Sequence, residues 1–176
     1  MNASPFLATE RFELWKPRAG DFAQITALTS DEETRRYLGE RREDAVDHWE
    51  RLMRSAGSWT LYGYGPLFVR ERGGEDIIAS TGLFHSWRRD PAEFSDVVEA
   101  GWIVRPDYWR RGVATEAMTA ILAWFDAAHS IRRTVAMIER DNEPSHTLAA
   151  RLGYRRFATK TFESDGTCMD LLERRV

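Results

Sequence analysis

Hydrophobic and polar positions along the chain change their period several times, and each period predicts an element. Apolar residues recur three and four positions apart over 43–56 and 112–128, which is the spacing of one buried helical face. Gly39 and Gly57 are expected to end helices that precede them. Strands are predicted over 6–15, 67–72, 77–87, 97–104, 133–138, 154–162 and 168–172, and shorter helices after Asp21, over 33–38 and over 145–152.

The order of these elements is mixed, and reads β-α-α-β-β-β-α-β-α-β-β. Strands that follow one another through short turns favour antiparallel pairing. No repeat, low-complexity tract or Gly/Pro/Ser-rich linker divides the chain. We therefore predict a single α/β (α+β) domain over residues 1–176, in which helices cover a mostly antiparallel sheet.

Composition and charge exclude several classes of protein. The 176 residues are 43% hydrophobic and 12% aromatic, which is enough to build a core. The net charge of −3 argues against sequence-independent binding of nucleic acid. Cys168 is the only cysteine, so neither a disulfide framework nor a thiolate zinc site is expected. With no secretory or membrane-spanning pattern, we expect a cytoplasmic monomer or homodimer that binds neither nucleic acid nor membranes.

The segment 98–116 carries the most chemical information. The strand predicted over 97–104 is followed by Arg-Pro-Asp-Tyr-Trp at 105–109 and Arg-Arg-Gly-Val-Ala at 110–114. The amphipathic helix is predicted from Gly112 onwards. The small residues Gly112 and Ala114 allow a ligand to approach the backbone closely. Amides in the first helical turn lack intrahelical acceptors and favour an anion such as a pyrophosphate. The alternative, an ordinary helix start behind two solvated arginines, stays open at this stage.

The sequence resembles the GNAT acetyltransferases, and within them the branch that includes the ribosomal-protein N-terminal acetyltransferases. The resemblance covers nearly the whole chain, in order. Trp109 stands first in a pattern that in the superfamily begins with Gln or Arg, and this substitution is usual in the branch. The blocks are Thr-Glu-Arg-Phe-Glu-Leu at 9–14, Glu-Ala-Gly-Trp at 99–102, Pro-Asp-Tyr-Trp-Arg-Arg-Gly-Val-Ala-Thr-Glu-Ala at 106–117, and Asn-Glu-Pro-Ser at 142–145 with Leu-Gly-Tyr-Arg at 152–155.

The resemblance implies acetyl-CoA as cosubstrate and a GNAT-like sheet of about six to seven strands flanked by about four helices. It implies that the pantetheine arm lies beside Ile103 and Val104, where a bulge near 102–104 frees an amide for the thioester carbonyl. Asn142 either hydrogen-bonds the pantetheine or is an ordinary helix cap. The pyrophosphate is expected on the amides of Arg110, Arg111, Gly112, Val113, Ala114 and Thr115.

Two residues are candidates for catalysis in such a site. Glu99 is the candidate general base, since a carboxylate in an apolar strand suits proton abstraction from an amine; the alternative is a salt bridge or an exposed strand position. Ser145 is expected to cap a helix by propensity, and the resemblance adds that its hydroxyl lies near the thiolate leaving group. No His or acidic residues show metal-ligand spacing, so no metal is expected.

We therefore predict an acetyl-CoA-dependent N-acetyltransferase in which a primary amine attacks the thioester directly. The acceptor is a protein N-terminus or a small-molecule amine, and the sequence does not choose between them. The alternative is a catalytically inactive module that binds acyl-CoA as a sensor or regulator. Acidic residues in the first helical region either attract an amine or form a solvated face; they are Glu32, Glu33, Glu40, Glu43 and Asp44.

Overall fold

The computed structural model describes residues 4–38 and 44–176. The predicted helix stop at Gly39 lies outside the described residues. The strands are β1 (Leu7–Ala8), β2 (Phe12–Trp15), β3 (Pro66–Glu71), β4 (Ala79–Ser86), β5 (Val97–Val104), β6 (Arg133–Glu139), β7 (Arg155–Thr161) and β8 (Cys168–Arg175). The helices are α1 (Phe22–Ser30), α2 (Glu32–Arg35), α3 (Ala45–Tyr62), α4 (Val113–Ala128) and α5 (Glu143–Arg151).

All described strands belong to one mixed sheet in the order β1-β2-β3-β4-β5-β6-β8-β7. Every neighbouring pair is antiparallel except β5 and β6, which are parallel. The crossover between these two strands is made by α4, as a parallel connection requires. The predicted α/β class with a mostly antiparallel sheet is confirmed.

The sheet has one strand more than the upper predicted number, because the first predicted strand is a hairpin. Thr9 closes the turn between β1 and β2: its amide donates to the Phe12 carbonyl at 2.9 Å. Its hydroxyl oxygen accepts from the Phe12 amide at 3.0 Å. A threonine side chain that satisfies a turn in this way competes with a continuous strand.

The helix α3 is longer than predicted and buries less of its apolar face. It passes through Gly57 and ends at Tyr62, where Gly63 adopts a left-handed conformation with φ 73°. The buried members of the predicted face are His48 and Leu52. Trp49 and Met53 are exposed instead, so the helical period is correct but the buried stripe is narrower.

The two faces of the sheet bury separate cores. The larger core lies under α4 and α5 and includes Met118, Phe125 and Leu148. A smaller core on the other face joins α1 and α3 to the sheet through Ile25, Leu52 and neighbours. Alternation along β5 therefore places Trp102 and Val104 on the α4 face and Ile103 on the α1 face.

We expect Glu173 to contribute to stability at neutral pH and to lose that contribution in acid. Hydrogen bonds from Arg175 and Arg133 hold its pKa at about 2, below the ordinary 4.5. A depressed pKa means that the contribution is present above pH 4.5 and is lost as the pH falls towards 2. Glu173→Gln should therefore lower the free energy of unfolding by about 1 kcal/mol at pH 7 and very little at pH 2, measured by urea titration. An equal loss at both pH values would contradict this assignment.

Candidate active site

The parallel strands β5 and β6 separate after a short paired stretch. Their register joins Val98 to Thr134 and Glu99 to Val135 and extends no further, although β6 pairs with β8 along its whole length. Residues 100–104 of β5 therefore have no strand partner on the β6 side. The result is a cleft whose wall includes backbone polar groups that need partners.

The predicted bulge near 102–104 is wrong. β4 and β5 keep one register through consecutive pairs from Ala79 with Val104 to Ser86 with Val97. The cleft opens because β6 diverges from β5, so no extra residue in β5 is required. The predicted separation of β5 from its neighbour is present, but on the β6 side alone.

The N-terminus of α4 follows β5 and presents free amides. Gly112 is the helix N-cap, with φ 77° and no side-chain cap. Arg110 is also left-handed, with φ 60°, and loops of this kind form concavities lined by amides. Within the described part of the chain, the amides of Val113, Ala114 and Thr115 have no acceptor. These donors and the helix dipole together favour an anion at this point.

Two cations flank these amides. Arg110 is exposed and forms no ion pair with any residue of the two described ranges. The Arg111 guanidinium lies 5.2 Å from the centre of the Tyr108 ring, which holds it beside the loop. The residues of the predicted anion site thus lie on one continuous loop and helix start.

Arg11 clamps this loop, a role that spacing alone did not reveal. Its Nε donates to Glu116 Oε2 at 2.7 Å, its amide donates to Glu116 Oε1 at 3.0 Å, and its Nη1 donates to the Arg111 carbonyl at 2.9 Å. Burial acts to raise the pKa of Glu116, but hydrogen bonds that include those of Arg11 outweigh it and lower the pKa. The carboxylate is therefore ionised and holds Arg11 against the first turn of α4.

Glu99, the candidate base, is buried on β5 in an ion pair. It is 5% exposed, and Arg88 approaches both of its oxygens, with Nη2 at 2.8 Å from Oε1 and Nε at 3.1 Å from Oε2. The salt-bridge alternative considered from the sequence is therefore present in the fold. Side chains alternate between the two faces of a strand, so Glu99 lies on the same face of β5 as Ile103. The ion pair of Glu99 with Arg88 therefore faces away from α4.

The start of α5 differs from its prediction in one respect. Asn142, not Ser145, is the helix N-cap, and its Oδ1 accepts from the Ser145 amide at 3.2 Å. Ser145 lies in the first turn, where its Oγ accepts a hydrogen bond from Trp102 Nε1 at 3.1 Å. Asn142 fits the cap better because Pro144 suits the first turn, where amides lack acceptors anyway.

Trp109 ties the loop back to β5. Its indole Nε1 donates to the Val104 carbonyl at 2.7 Å, so that carbonyl is already partnered. The side chain that stands where the superfamily pattern has Gln or Arg therefore fixes the loop to the end of the cleft strand. The sequence pattern singled out Trp109 but did not predict its hydrogen bond to Val104.

Three further observations concern the described residues. Over residues 4–38 and 44–176, no group of three or more His, Cys, Asp or Glu side chains is placed to hold a metal ion. In these ranges no helix is both long and apolar enough to cross a membrane. Burial raises the pKa of Tyr154 to about 12, and its hydroxyl lies 2.8 Å from Thr134 Oγ1, so this tyrosine serves packing.

The chain belongs to the GNAT acetyltransferase family: the acetyltransferase (GNAT) domain matches residues 11–155. It is 34% identical over 150 residues to the uncharacterised N-acetyltransferase YnaD of Bacillus subtilis, which spans 85% of this chain and 82% of that protein. It is 33% identical to a GNAT-family acetyltransferase structure from Bordetella pertussis, with a TM-score of 0.84 and coverage of 96% and 98% of the two chains.

Two more distant structures share the fold. The ribosomal-protein-S5-alanine acetyltransferase of Vibrio fischeri is 15% identical, with a TM-score of 0.77 and coverage of 96% and 95%. The acetyltransferase yncA of Salmonella typhimurium, solved with its cofactor acetyl-CoA, is 18% identical, with a TM-score of 0.70 and coverage of 93% of each chain. The resemblance to the GNAT superfamily is confirmed, and the ribosomal-protein branch is among its structural neighbours.

Proposed function

We propose that this protein is an acetyl-CoA-dependent N-acetyltransferase that transfers an acetyl group to a primary amine. The observation that carries the proposal is the continuity of two features. An unpaired strand edge over residues 100–104 leads directly into a helix start with free amides and a left-handed Gly112. An extended pantetheine arm and a pyrophosphate require these two features in this order.

The cofactor-binding assignments follow from this arrangement. The pantetheine arm lies along Ile103 and Val104 in the place of the missing strand partner, with Asn142 offering its side-chain NH₂ from across the cleft. The Val104 carbonyl is held by Trp109, so the neighbouring backbone groups make the remaining contacts. The pyrophosphate rests on the amides of Arg110, Gly112, Val113, Ala114 and Thr115, and the two guanidinium groups add charge. The Arg111 amide joins them by exchanging its 3.4 Å bond to the Tyr108 carbonyl.

Loss of the Arg11 clamp should weaken acetyl-CoA binding. Arg11→Met removes contacts to Glu116 and to the Arg111 carbonyl, so the loop must be ordered when the ligand binds. We expect the Kd to rise about tenfold, equivalent to about 1.4 kcal/mol, in calorimetric titration. Glu116→Gln should weaken binding similarly, and the double variant no more than either one. Additive losses would show that the two residues do not act together.

In the proposed reaction the amine nitrogen attacks the thioester carbonyl carbon. A C–N bond forms, the C–S bond breaks and its electron pair leaves with sulfur as the thiolate. The Glu99 carboxylate takes the proton that the nitrogen loses, directly or through water, after it exchanges one contact with Arg88. The Ser145 hydroxyl stabilises the departing thiolate. No covalent enzyme intermediate is required.

The charges at the far end of β6 support a cationic acceptor. Burial raises the pKa of Glu139, the charges of Asp141 and Asp165 raise it further, and the charge of Arg36 opposes them without cancelling the rise. The hydroxyl of Tyr37, which follows α2, donates to the Asp141 carbonyl at 3.4 Å. Carboxyl groups collected beside the cleft attract an amine in its protonated form before it is deprotonated.

The acidic residues of the first helical region give weaker support. Glu32 and Glu33 lie in the first turn of α2. Asp44 is used as the cap of α3, where it accepts from two amides. Glu40 and Glu43 lie outside the described residues. A protein N-terminus and a small amine remain the two acceptor classes of the proposal. The proposed enzyme is a cytoplasmic monomer or homodimer that binds neither nucleic acid nor membranes.

Calorimetric titration with acetyl-CoA, with NAD as the control ligand, tests the proposal first. Micromolar binding of acetyl-CoA alone is the expected result, and turnover with a panel of primary amines should follow. Absence of binding up to about 1 mM acetyl-CoA means a binding free energy weaker than about −4 kcal/mol. That result would show that the cleft is a property of the fold only.

A second candidate function is an acyl-CoA sensor without turnover. The ion pair between Glu99 and Arg88 favours it, because both oxygens of the candidate base accept hydrogen bonds from Arg88. A sensor would bind acetyl-CoA with the affinity expected of the enzyme. It would release CoA at the same rate with and without every amine tested, which separates the two candidates.

A further inference from the structure

One side-chain hydrogen bond crosses the cleft on the α4 face. Pairing of β5 with β6 ends at Glu99, and Trp102 lies three residues further along β5. Its indole packs partly buried against the main core, and its Nε1 donates to Ser145 Oγ on α5 at 3.1 Å. The bond therefore links the two sides of the cleft at the level of the unpaired strand edge.

The direction of this bond determines what the Ser145 hydroxyl has left to offer. An indole nitrogen can only donate, so Ser145 Oγ must be the acceptor. The serine proton is then directed elsewhere. Serines in helices commonly donate to the carbonyl four residues earlier, which here is Asp141. That carbonyl instead receives the Glu143 amide at 3.0 Å and the Tyr37 hydroxyl at 3.4 Å.

The Ser145 proton consequently has no acceptor in the described part of the protein. Its amide is held by Asn142 Oδ1 at 3.2 Å, so the residue is fixed through its backbone and through one lone pair of its oxygen. The only freedom that remains is the direction of the O–H bond. Trp102 restricts that direction by occupying one side of the oxygen.

We propose that Trp102 is a positioning residue that orients the Ser145 hydroxyl towards the sulfur of the departing CoA thiolate. This inference rests on the proposed function. In the transfer step the C–S bond breaks with its electron pair on sulfur, and the amine proton goes to Glu99. Ser145 keeps its proton and donates a hydrogen bond to the thiolate. A hydrogen bond to a charged group of this kind corresponds to about a 10- to 100-fold effect on rate.

Ionisation of bound CoA tests this role without an acceptor amine. Ultraviolet absorbance of the thiolate is followed against pH for CoA bound to the wild type, Trp102→Phe and Ser145→Ala. A fixed hydroxyl donor should let the bound thiol of the wild type ionise about one pH unit lower than in either variant, a tenfold effect. The matched control is Trp59→Phe, which removes an indole hydrogen bond of 2.9 Å to the Pro66 carbonyl. The thiol of CoA bound to this variant should ionise at the same pH as in the wild type.

Kinetics provide the second measurement. Trp102→Phe should lower kcat about tenfold with the Kd of acetyl-CoA unchanged, and Trp102→Phe with Ser145→Ala should lose no more than Ser145→Ala alone. Equal thiol ionisation in all proteins, additive losses, or tighter acetyl-CoA binding by Trp102→Phe would overturn the inference. Wild-type protein that binds no acetyl-CoA would instead refute the proposed function, so the two failures are distinguishable.

Discussion

Gly112→Ala is expected to raise the Kd of acetyl-CoA about 100-fold. The residue sits at φ 77°, where a side chain costs about 1–2 kcal/mol. An added Cβ would also lie 3.2 Å from Nη2 of Arg11, and the clamp would have to move. The loop would relax away from the conformation that points its amides at the pyrophosphate. Losing two charge-assisted hydrogen bonds accounts for the roughly 3 kcal/mol that a 100-fold change represents.

Gly153→Ala is the matched control for this change. Gly153 is also left-handed, with φ 86°, and an added Cβ would meet no atom within 4 Å. Gly112→Ala should lose at least as much stability as Gly153→Ala in urea titration, because both carry the same backbone strain and Gly112→Ala also displaces Arg11. Only Gly112→Ala should lose affinity in the calorimeter. Equal losses of affinity would attribute the effect to general destabilisation and would remove Gly112 from the proposed site.

Glu99→Gln is expected to lower kcat by about 100-fold or more, with the Kd of acetyl-CoA unchanged. The amide cannot accept the proton that the attacking amine must lose, and general bases contribute about 10² to 10⁴ in rate. The substitution preserves shape but leaves Arg88 without its carboxylate, so stability will also fall. Steady-state kinetics at saturating acetyl-CoA measure the catalytic loss directly.

Arg88→Met separates the two consequences of that change. It breaks the same ion pair but keeps the Glu99 carboxylate. If Glu99 is the base, the rate of Arg88→Met should exceed that of Glu99→Gln by at least tenfold in conditions where both proteins are folded. Equal rates, or a Glu99→Gln enzyme within threefold of the wild type, would make the pair a structural feature only.

Most of the fold was predictable because its signals are local. The period of apolar residues along α4 and the turn residues around β5 define these elements to within one residue. The hairpin at Thr9 could not be predicted, because residues 6–15 have the alternation of one continuous strand and the turn depends on hydrogen bonds between Thr9 and Phe12. The extent of α3 beyond Gly57 was missed because Trp59 packs on Phe6, a contact that joins distant parts of the chain.

The candidate site was predictable only where it is continuous in sequence. The loop from Arg110 to Thr115 forms an amide-lined helix start, as its glycine and arginines indicated. Three side chains that hold the site were not assigned, namely Arg11, Arg88 and Trp102. Each of them contacts a residue at least eleven positions away, and no short-range spacing encodes such a contact. Their partners Glu99 and Ser145 were nevertheless singled out.

The unbroken ladder between β4 and β5 has a consequence for how the molecule would respond to the proposed cosubstrate. β1 to β5 form one half-sheet and β6 to β8 another, and two residue pairs join their strands. A linear ligand in the gap would complete the sheet as an inserted strand and couple the halves mechanically. Cofactor occupancy would thus set stiffness as well as stability, which rises by about 2.7 kcal/mol when the ligand is present at 100 times its Kd.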